Sequence, residues 1–347
     1  MPLKSALKNI EKRLKAFLLR TSARRRKREL HCTRRGSKPV NEGDLLLFSC
    51  LRNEASRLPF FLDYYRRLGV DYFFLIDNQS TDDLSGALGQ ANDITVFYAS
   101  GKFSAANKGL HWINALLSKF GTGHWCLHCD LDEFLVYPHM DKVDLKAFTS
   151  FLESQNKNAF FAPLIDMYAS DTLRPTYRPG DDPLSTCPMF DSTGYGFGYD
   201  SKRDALRVKG GVRGRVFWDG PLSTSPMLSK LPLVKWQPGY LYQTSHHLYP
   251  HFLNRAGVTD SCTGALLHFK FMADLDTKVA DALTYRQHHN ASEEYETYAQ
   301  KLETDLSLAE PSVSEHYENW RSLERLGLLK STTALADFGQ SVTNAPR

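Results

Sequence analysis

Short apolar runs of strand length alternate along this chain with segments of helical spacing, and the runs break off into acidic or amide side chains. "DLLLFSCL" (44–51) reads as a buried strand and ends in "RNEAS". "RLPFFLDYYRRLG" (57–69) has helical apolar spacing, with Gly69 placed to cap it. "VDYFFLIDNQSTDD" is an aromatic and β-branched run into a polar turn at Asp77, and "DITVFYAS" is a third strand. "NKGLHWINALLSKFG" (107–121) reads as a second long helix closed by glycine. "HWCLHCDLDEFLVYP" (124–138) reads as a fourth strand, with Asp130, Asp132 and Glu133 inside it. Strands alternating with helices predict an α/β fold, a mostly parallel sheet flanked by helices.

Ligands of such sheets bind beyond the carboxyl ends of the strands. Arg52, Asn53 and Glu54 follow the first strand. Asp77, Asn78, Ser80, Thr81 and Asp82 end the second, and Asp130, Asp132 and Glu133 end the fourth. Residues two apart on a strand share a face, so Asp130 and Asp132 are expected to face one ligand together. Two carboxylates that close repel unless a cation or proton intervenes. A divalent metal carrying a nucleotide diphosphate meets that requirement. The bland alternative is a solvated acidic turn; three strand ends delivering acids or amides to one edge weigh against it.

The formal charge of +4 hides an asymmetry. Residues 1–38 hold 14 Lys+Arg and 2 Asp+Glu, a net +12, which leaves 29 and 37, a net −8, for the rest. A basic arm on an acidic body argues against nucleic acid as a partner. Leu3, Leu7, Ile10, Leu14 and Phe17 form one helical stripe among the arm's cations. That is the pattern of a helix lying on an anionic membrane surface, or else of a helix packed on the body. "GSKPVNEGD" (36–44) reads as the linker into the body. Six cysteines in 347 residues suggest no disulfide scaffold. With no apolar run of about 18 residues, no spanning helix is expected. The expected location is the cytoplasm, with the arm able to hold the chain on the inner face of the plasma membrane.

The segments "FSCLRNEASRLPFFLDYYRRLGVDYFFLIDNQSTDD" and "HCDLDEFLVYP" resemble the glycosyltransferase family 2-like group, with its GT-A (Rossmann-like) nucleotide-sugar fold. They are especially similar to the bacterial branch related to glycosyltransferase family 92, as are "GGVRGRVF", "LSKLPLVKW" and "GALLHFKF". The resemblance covers roughly residues 44–271. With the charge and helical patterns on either side, it divides the chain into a basic arm (1–38), a GT-A domain (39–272) and a C-terminal helical extension (273–347). It also implies that Asn53 and Glu54, beside Arg52, line the nucleotide, and that Asp77, beside Asn78, contacts base or ribose. Asp130 and Asp132 match the family's D-x-D, Asp132 binding Mn²⁺ or Mg²⁺ and Asp130 holding ribose or metal. His268 matches a histidine that completes the metal or diphosphate site, Lys270 lies near the phosphates, and Arg213 is a further diphosphate ligand, since a guanidinium pairs well with phosphate. No acidic motif in the second half matches the family's catalytic base with certainty. Asp166 has the best context, and Asp171, Asp181, Asp182 and Asp191 are also available.

The implied activity is metal-dependent transfer of a sugar, with inversion, from a nucleotide-diphosphate sugar (a UDP-sugar favoured) to a hydroxyl of a glycan or glycolipid. Two rivals remain: a metal-dependent phosphoryl-transfer enzyme or phosphohydrolase, and a non-catalytic nucleotide-sugar-binding module recruited to membranes. "CLHC" (126–129) puts its cysteines on opposite strand faces, which disfavours zinc. "GYGFG" (194–198) has the wrong spacing for a dinucleotide loop and reads as an acceptor-side loop. The histidines of "SHHLYPH" read as hydrogen-bonded loop residues near the site. The residues after 271 are expected to form terminal helices, the last 15 or so loosely held.

Overall fold

The computed structural model describes residues 2–173, 175–218, 220–260, 262–272 and 307–344, together with Leu275, Val279 and Ala299. Most of the helical stretch expected over 273–303 lies outside the described residues. In chain order the strands are β1 (Leu30–Arg34), β2 (Leu46–Leu51), β3 (Tyr72–Asp77), β4 (Ile94–Ala99), β5 (Trp125–His128), β6 (Glu133–Val136), β7 (Ala159–Phe160) and β8 (Leu164–Asp166). They continue with β9 (Met189–Asp191), β10 (Tyr195–Asp200), β11 (Ala205–Gly210), β12 (Leu233–Lys235), β13 (Leu241–Thr244), β14 (His247–Tyr249), β15 (Ala265–His268) and β16 (Ser314–His316).

Seven strands form the central sheet in the order β1-β4-β3-β2-β5-β12-β7. β2 through β5 run parallel, and β1 and β12 enter antiparallel. From β2 the chain steps outward to β3 and β4, then returns to lay β5 against the other flank of β2. The reversal opens a crevice beyond the carboxyl ends of β2 and β5, where ligands of open α/β sheets sit. The strands are apolar because helices cover the sheet: Leu46, Leu47, Phe48, Phe73, Leu75 and Ile76 have no exposed surface.

The helices α1 (Pro2–Arg26), α2 (Leu58–Leu68), α3 (Leu84–Leu88), α4 (Leu110–Leu116), α5 (Leu145–Ser154), α6 (Pro183–Thr186) and α7 (Gly211–Val216) join the strands. α2 forms where its spacing predicts. Leu58, Phe61, Leu62, Tyr65 and Leu68 make one buried stripe, and Gly69 caps the helix at φ 101°, where a side chain would be strained. α4 is buried on all sides and continues as a π turn, Leu117–Gly121.

Three expectations change. The fourth apolar run is two strands, not one: β5 stays in the central sheet, while β6 pairs with β15 in a second sheet of order β6-β15-β8. The chain must turn to pass between sheets, so Cys129–Asp132 lies off the strand and the two-residue alternation does not apply to Asp130 and Asp132. Next, the second half of the basic segment belongs to the body, because β1 pairs with β4 at the sheet edge. α1 also packs on α4 through Ala16 and Ala23, pinned where the Trp112 indole donates to Glu29 at 2.8 Å. Finally, the tail is held rather than loose. Residues Thr333–Asn344 form a helix that buries Leu335 and sets Phe338 against Phe151 of α5.

Tyr65 ties α2 to the second sheet. Its hydroxyl donates to the Glu133 carbonyl at 2.8 Å and accepts from the Leu135 amide at 3.1 Å, fully buried. Tyr65→Phe strands both backbone groups, and its expected cost is about 1–3 kcal/mol in urea unfolding.

Candidate active site

The second sheet carries a row of ionisable groups. His268, the last residue of β15, pairs with Glu133 on one side and with Asp166 on the other. Laterally paired residues point to one face of a sheet, so the register alone brings these three together. His268 Nδ1 lies 2.5 Å from Asp166 Oδ1, and Asp166 Oδ2 accepts from Arg213 Nε at 2.7 Å. On the other ring nitrogen, His268 Nε2 stands 3.6 Å from Asp132 Oδ2. The sequence thus delivers Asp132, His268, Asp166 and Arg213 as one connected chain.

Arg213 reaches it because of two glycines. Gly210 and Gly211 take φ 106° and 61°, turning β11 directly into α7, and a Cβ on Gly210 would stand 2.1 Å from the Gly194 carbonyl. Asp166 is buried, which alone would favour its neutral form. The Arg213 charge and the His268 hydrogen bond outweigh burial and hold it at about 2. Burial would lower His268, but Asp132 and Asp166 raise it above its ordinary value. A carboxylate so buried and so doubly paired orients its neighbours; it is badly placed to take a proton from an acceptor.

A second cluster adjoins the first. Lys230, not singled out from the sequence, is buried and donates to Glu133 at 2.7 Å, with Asp130 at 3.7 Å. Burial opposes its charge, and Glu133 and Asp130 restore it. A lysine inside the apolar "LSKLPLV" was the available signal, since a buried lysine requires a carboxylate partner. Asp130 is 56% exposed and sits at the mouth, while Asp132 is turned to His268. The two aspartates therefore take different partners and do not face one point as expected.

At β2 and β3 the polar turns lock each other. Asn53, at φ 54°, accepts from the Thr81 amide at 2.8 Å, the Asn53 amide donates to Ser80 Oγ at 3.0 Å, and Asp77 accepts from the Ser80 amide at 2.8 Å. The Cys50 thiol on β2 is pushed up first by burial, then by Asp130 and Asp77, so these two carboxylates lie near the end of the strand. Asn78 is buried, and its amide donates to the carbonyls of Ala99 and Gly101, so it braces the turn. Glu54 pairs with the buried Arg57 at 3.2 Å, and Arg57 donates to the Phe269 carbonyl beside His268. Arg52 and Lys270 are half-buried, following β2 and β15.

Among the described residues no three His, Cys, Asp or Glu side chains close into a metal cage. Asp132 and His268 offer an open edge instead. A histidine whose second nitrogen is held by a carboxylate is the arrangement that ligating histidines adopt. Mg²⁺ is commonly held through one or two protein groups, with phosphate oxygens completing the shell. The pair fits that partial role, and Asp130, engaged by Lys230, does not join it. The three histidines of "SHHLYPH" are hydrogen-bonded as expected, His246 to the Ser229 carbonyl, His247 to Thr244 and His251 to Gln243, but only His246 lies in a turn, since His247 opens β14 and His251 opens a 3-10 helix.

No protein-family model and no curated protein matches the chain. Among solved structures it is similar to the mannosyltransferase PcManGT from Pyrobaculum calidifontis, in complex with GDP-Man and Mn²⁺, at 16% identity and TM-score 0.25. That match spans 48% of this chain and about half, 46%, of the mannosyltransferase. It is also similar to a 4-diphosphocytidyl-2C-methyl-D-erythritol synthase at 10% identity and TM-score 0.28, over 58% of this chain and 76% of that one. A third likeness is to the UTP-bound UGPase from Acinetobacter baumannii, at 8% identity and TM-score 0.27, over 87% and 99%. Similarity this low carries nothing about substrate.

The Asp166 assignment gives a pH signature. Its ordinary value is 3.8, so a folded value of about 2 stabilises above 3.8 and the contribution is lost as pH falls through 2. His268 is raised above 6.5, so its contribution is full below 6.5 and fades as pH rises through its folded value. The pair contributes most between 3.8 and 6.5. Asp166→Asn should flatten that plateau in urea-melt midpoints and cost about 3–5 kcal/mol, because it removes the Arg213 carboxylate partner from a buried site.

Proposed function

We propose that the protein is a transferase acting on a nucleotide-diphosphate sugar. Within that class we read it as a metal-dependent, inverting glycosyltransferase with a glycan or glycolipid hydroxyl as acceptor and a UDP-sugar as the favoured donor. The observation that supports it most is the convergence beyond β2 and β5: Asp77, paired with Leu51 at the end of β2, Asp130, next to the Cys129 carbonyl that Ser49 of β2 holds, and the Asp132–His268–Asp166–Arg213 chain. Asp77 and the Asn53 turn suit the nucleoside, while Asp132 with His268 suits the diphosphate's metal. That ion, Mn²⁺ or Mg²⁺, would stabilise the negative charge of the departing diphosphate. Asp166 fixes the His268 ring and tautomer, and Arg213 keeps Asp166 ionised. Asp130 at the exposed mouth is left to the ribose, with Lys230 neutralising the cluster behind it.

UDP should bind more tightly with manganese than with EDTA in calorimetry. Asp132→Asn should erase most of that difference and lower sugar transfer by at least about a hundredfold. Equal affinity in the two buffers would sink the metal assignment. The phosphohydrolase rival predicts inorganic phosphate as product, whereas this reading predicts UDP and transferred sugar.

The membrane reading of the basic segment has one observation in its favour. Ile10, Leu14, Phe17 and Leu18 of α1 are each more than half exposed, while the helix packs through Ala16 and Ala23. Among the described residues no helix is long and apolar enough to cross a membrane. Replacing Ile10, Leu14 and Phe17 with serine leaves the edge strand β1 in place. It should abolish salt-resistant sedimentation with anionic liposomes and leave activity on a soluble acceptor unchanged.

A further inference from the structure

The hairpin of β10 and β11 carries a groove that the nucleotide site does not use. Directly paired residues share a face, so Gly196 stands with Lys209, and Gly198 with Arg207. Leu222 packs over Gly196, where its Cδ2 would stand 2.9 Å from a Cβ, and Gly198 leaves bare backbone beside it. Leu222 and Ser223 close the other side of a cavity of about 290 Å³. A Cβ on Gly198 would meet no atom within 4 Å, so internal packing does not require glycine there. Glycine in a strand often marks close approach of another molecule to the backbone.

The walls have a definite chemistry. The trough is walled by Arg207, Lys209, Leu222 and Ser223, while Phe197 and Tyr199 alternate with the glycines and turn their rings, 58% and 57% exposed, to the other face of the hairpin. Positive charge is in excess. Arg203 and Arg207 share the single carboxylate of Asp200, at 3.0 and 2.8 Å. Lys209 donates to the Ser225 carbonyl, and no carboxylate is seen against it among the described residues. Burial and the neighbouring Arg207 hold its ammonium below the usual value, the cost of crowding two cations that an anion would relieve.

The hairpin that carries the groove is joined to the candidate active site through the chain. Tyr195 and Gly210 form the root of the hairpin, and β11 continues into α7, which carries Arg213. Tyr195 is close enough to Asp166 and Asp191 for their charges to raise its hydroxyl, after burial.

We propose that this groove is a subsite for an acidic sugar, one bearing a carboxylate or phosphate, whose ring lies over Gly198 beside Leu222 while Lys209 and Arg207 take the charge. That the sugar is the acceptor rests on the glycosyl-transfer reading. The full-length protein is titrated by calorimetry with a uronic-acid disaccharide, a disaccharide phosphate and the neutral disaccharide. At least one acidic sugar should bind at least about tenfold more tightly than the neutral one. Gly198→Val, which fills the trough, and Lys209→Gln, which removes a charge, should each weaken that binding about tenfold while UDP affinity and melting temperature stay at the parent values. Preference for the uronate or for the phosphate identifies the anion. Equal binding of all three sugars, no binding of any up to about 10 mM, or unchanged binding in both folded variants overturns the proposal. If acidic sugar binds and both variants weaken it, but UDP does not bind with manganese, the groove stands and the glycosyl-transfer reading falls.

Discussion

A carboxylate buried in a small sheet is the constraint around which the site is organised. Asp166 cannot sit in that environment ionised without partners, and the fold supplies two, the His268 ring from β15 and the Arg213 guanidinium from α7. Those requirements reach far along the chain. The register of β15 on β8 must be held to the residue, since a slip of one would turn His268 to the other face. The glycine pair before α7 must accept left-handed backbone, or Arg213 would not arrive. Arg57, anchored by Glu54 at the end of β2, clamps the Phe269 carbonyl and so fixes the strand that carries the histidine. The end of β2 and the end of β15 are thereby mechanically joined through one buried guanidinium.

Two sheets rather than one explain the form of the acidic motif. In the central sheet the strands end at a crevice and can present to it only the residues just past each strand. β5 stops at His128, and its continuation crosses to the second sheet before becoming β6. The crossing turn is held at both ends: Ser49 donates to the Cys129 carbonyl at 2.7 Å, and the Phe269 amide donates to the Asp132 carbonyl at 2.8 Å. Such a turn sends Asp130 outward toward Lys230 and Asp132 inward toward His268. One aspartate is thus accessible and the other oriented, a division that a pair on a flat strand would not give.

The parallel core was legible because local physics decides it. Apolar runs of strand length, a helical stripe from Leu58 to Leu68 and Gly69 at its cap need no long-range information. The strand ends that bear Asn53, Asp77 and Asp130 followed from the alternation. What could not be read is tertiary. The break inside "HWCLHCDLDEFLVYP" depends on a partner, β15, some 130 residues away, and nothing local distinguishes one strand from two. Asn78 looked like a ligand contact because amides at strand ends often are. Its carbonyl partners, Ala99 and Gly101, belong to the next strand's end. Asp166 stood out through its apolar run, yet the two partners that engage both of its oxygens come from segments 47 and 102 residues away.

The basic segment shows how one sequence pattern can satisfy two surfaces at once. A helix with a single apolar stripe would ordinarily turn it to the core. α1 instead docks through alanines, which allow close approach to α4, while Arg20 bonds the Gly239 carbonyl and lies over the Tyr249 ring at 5.5 Å. Burying a large apolar side chain is worth about 1.5–3 kcal/mol, so leaving Ile10, Leu14, Phe17 and Leu18 in water forgoes a substantial stabilisation. Packing on α4 through those residues would have recovered it but would have turned the alanine face to solvent. The chosen face leaves an apolar strip bordered by cations on a helix fixed to a rigid body, with β1 of the same segment hydrogen-bonded into the central sheet. Any surface that took up this strip would hold the whole central sheet in one orientation, because α1 runs through a single 3-10 turn into β1 of that sheet.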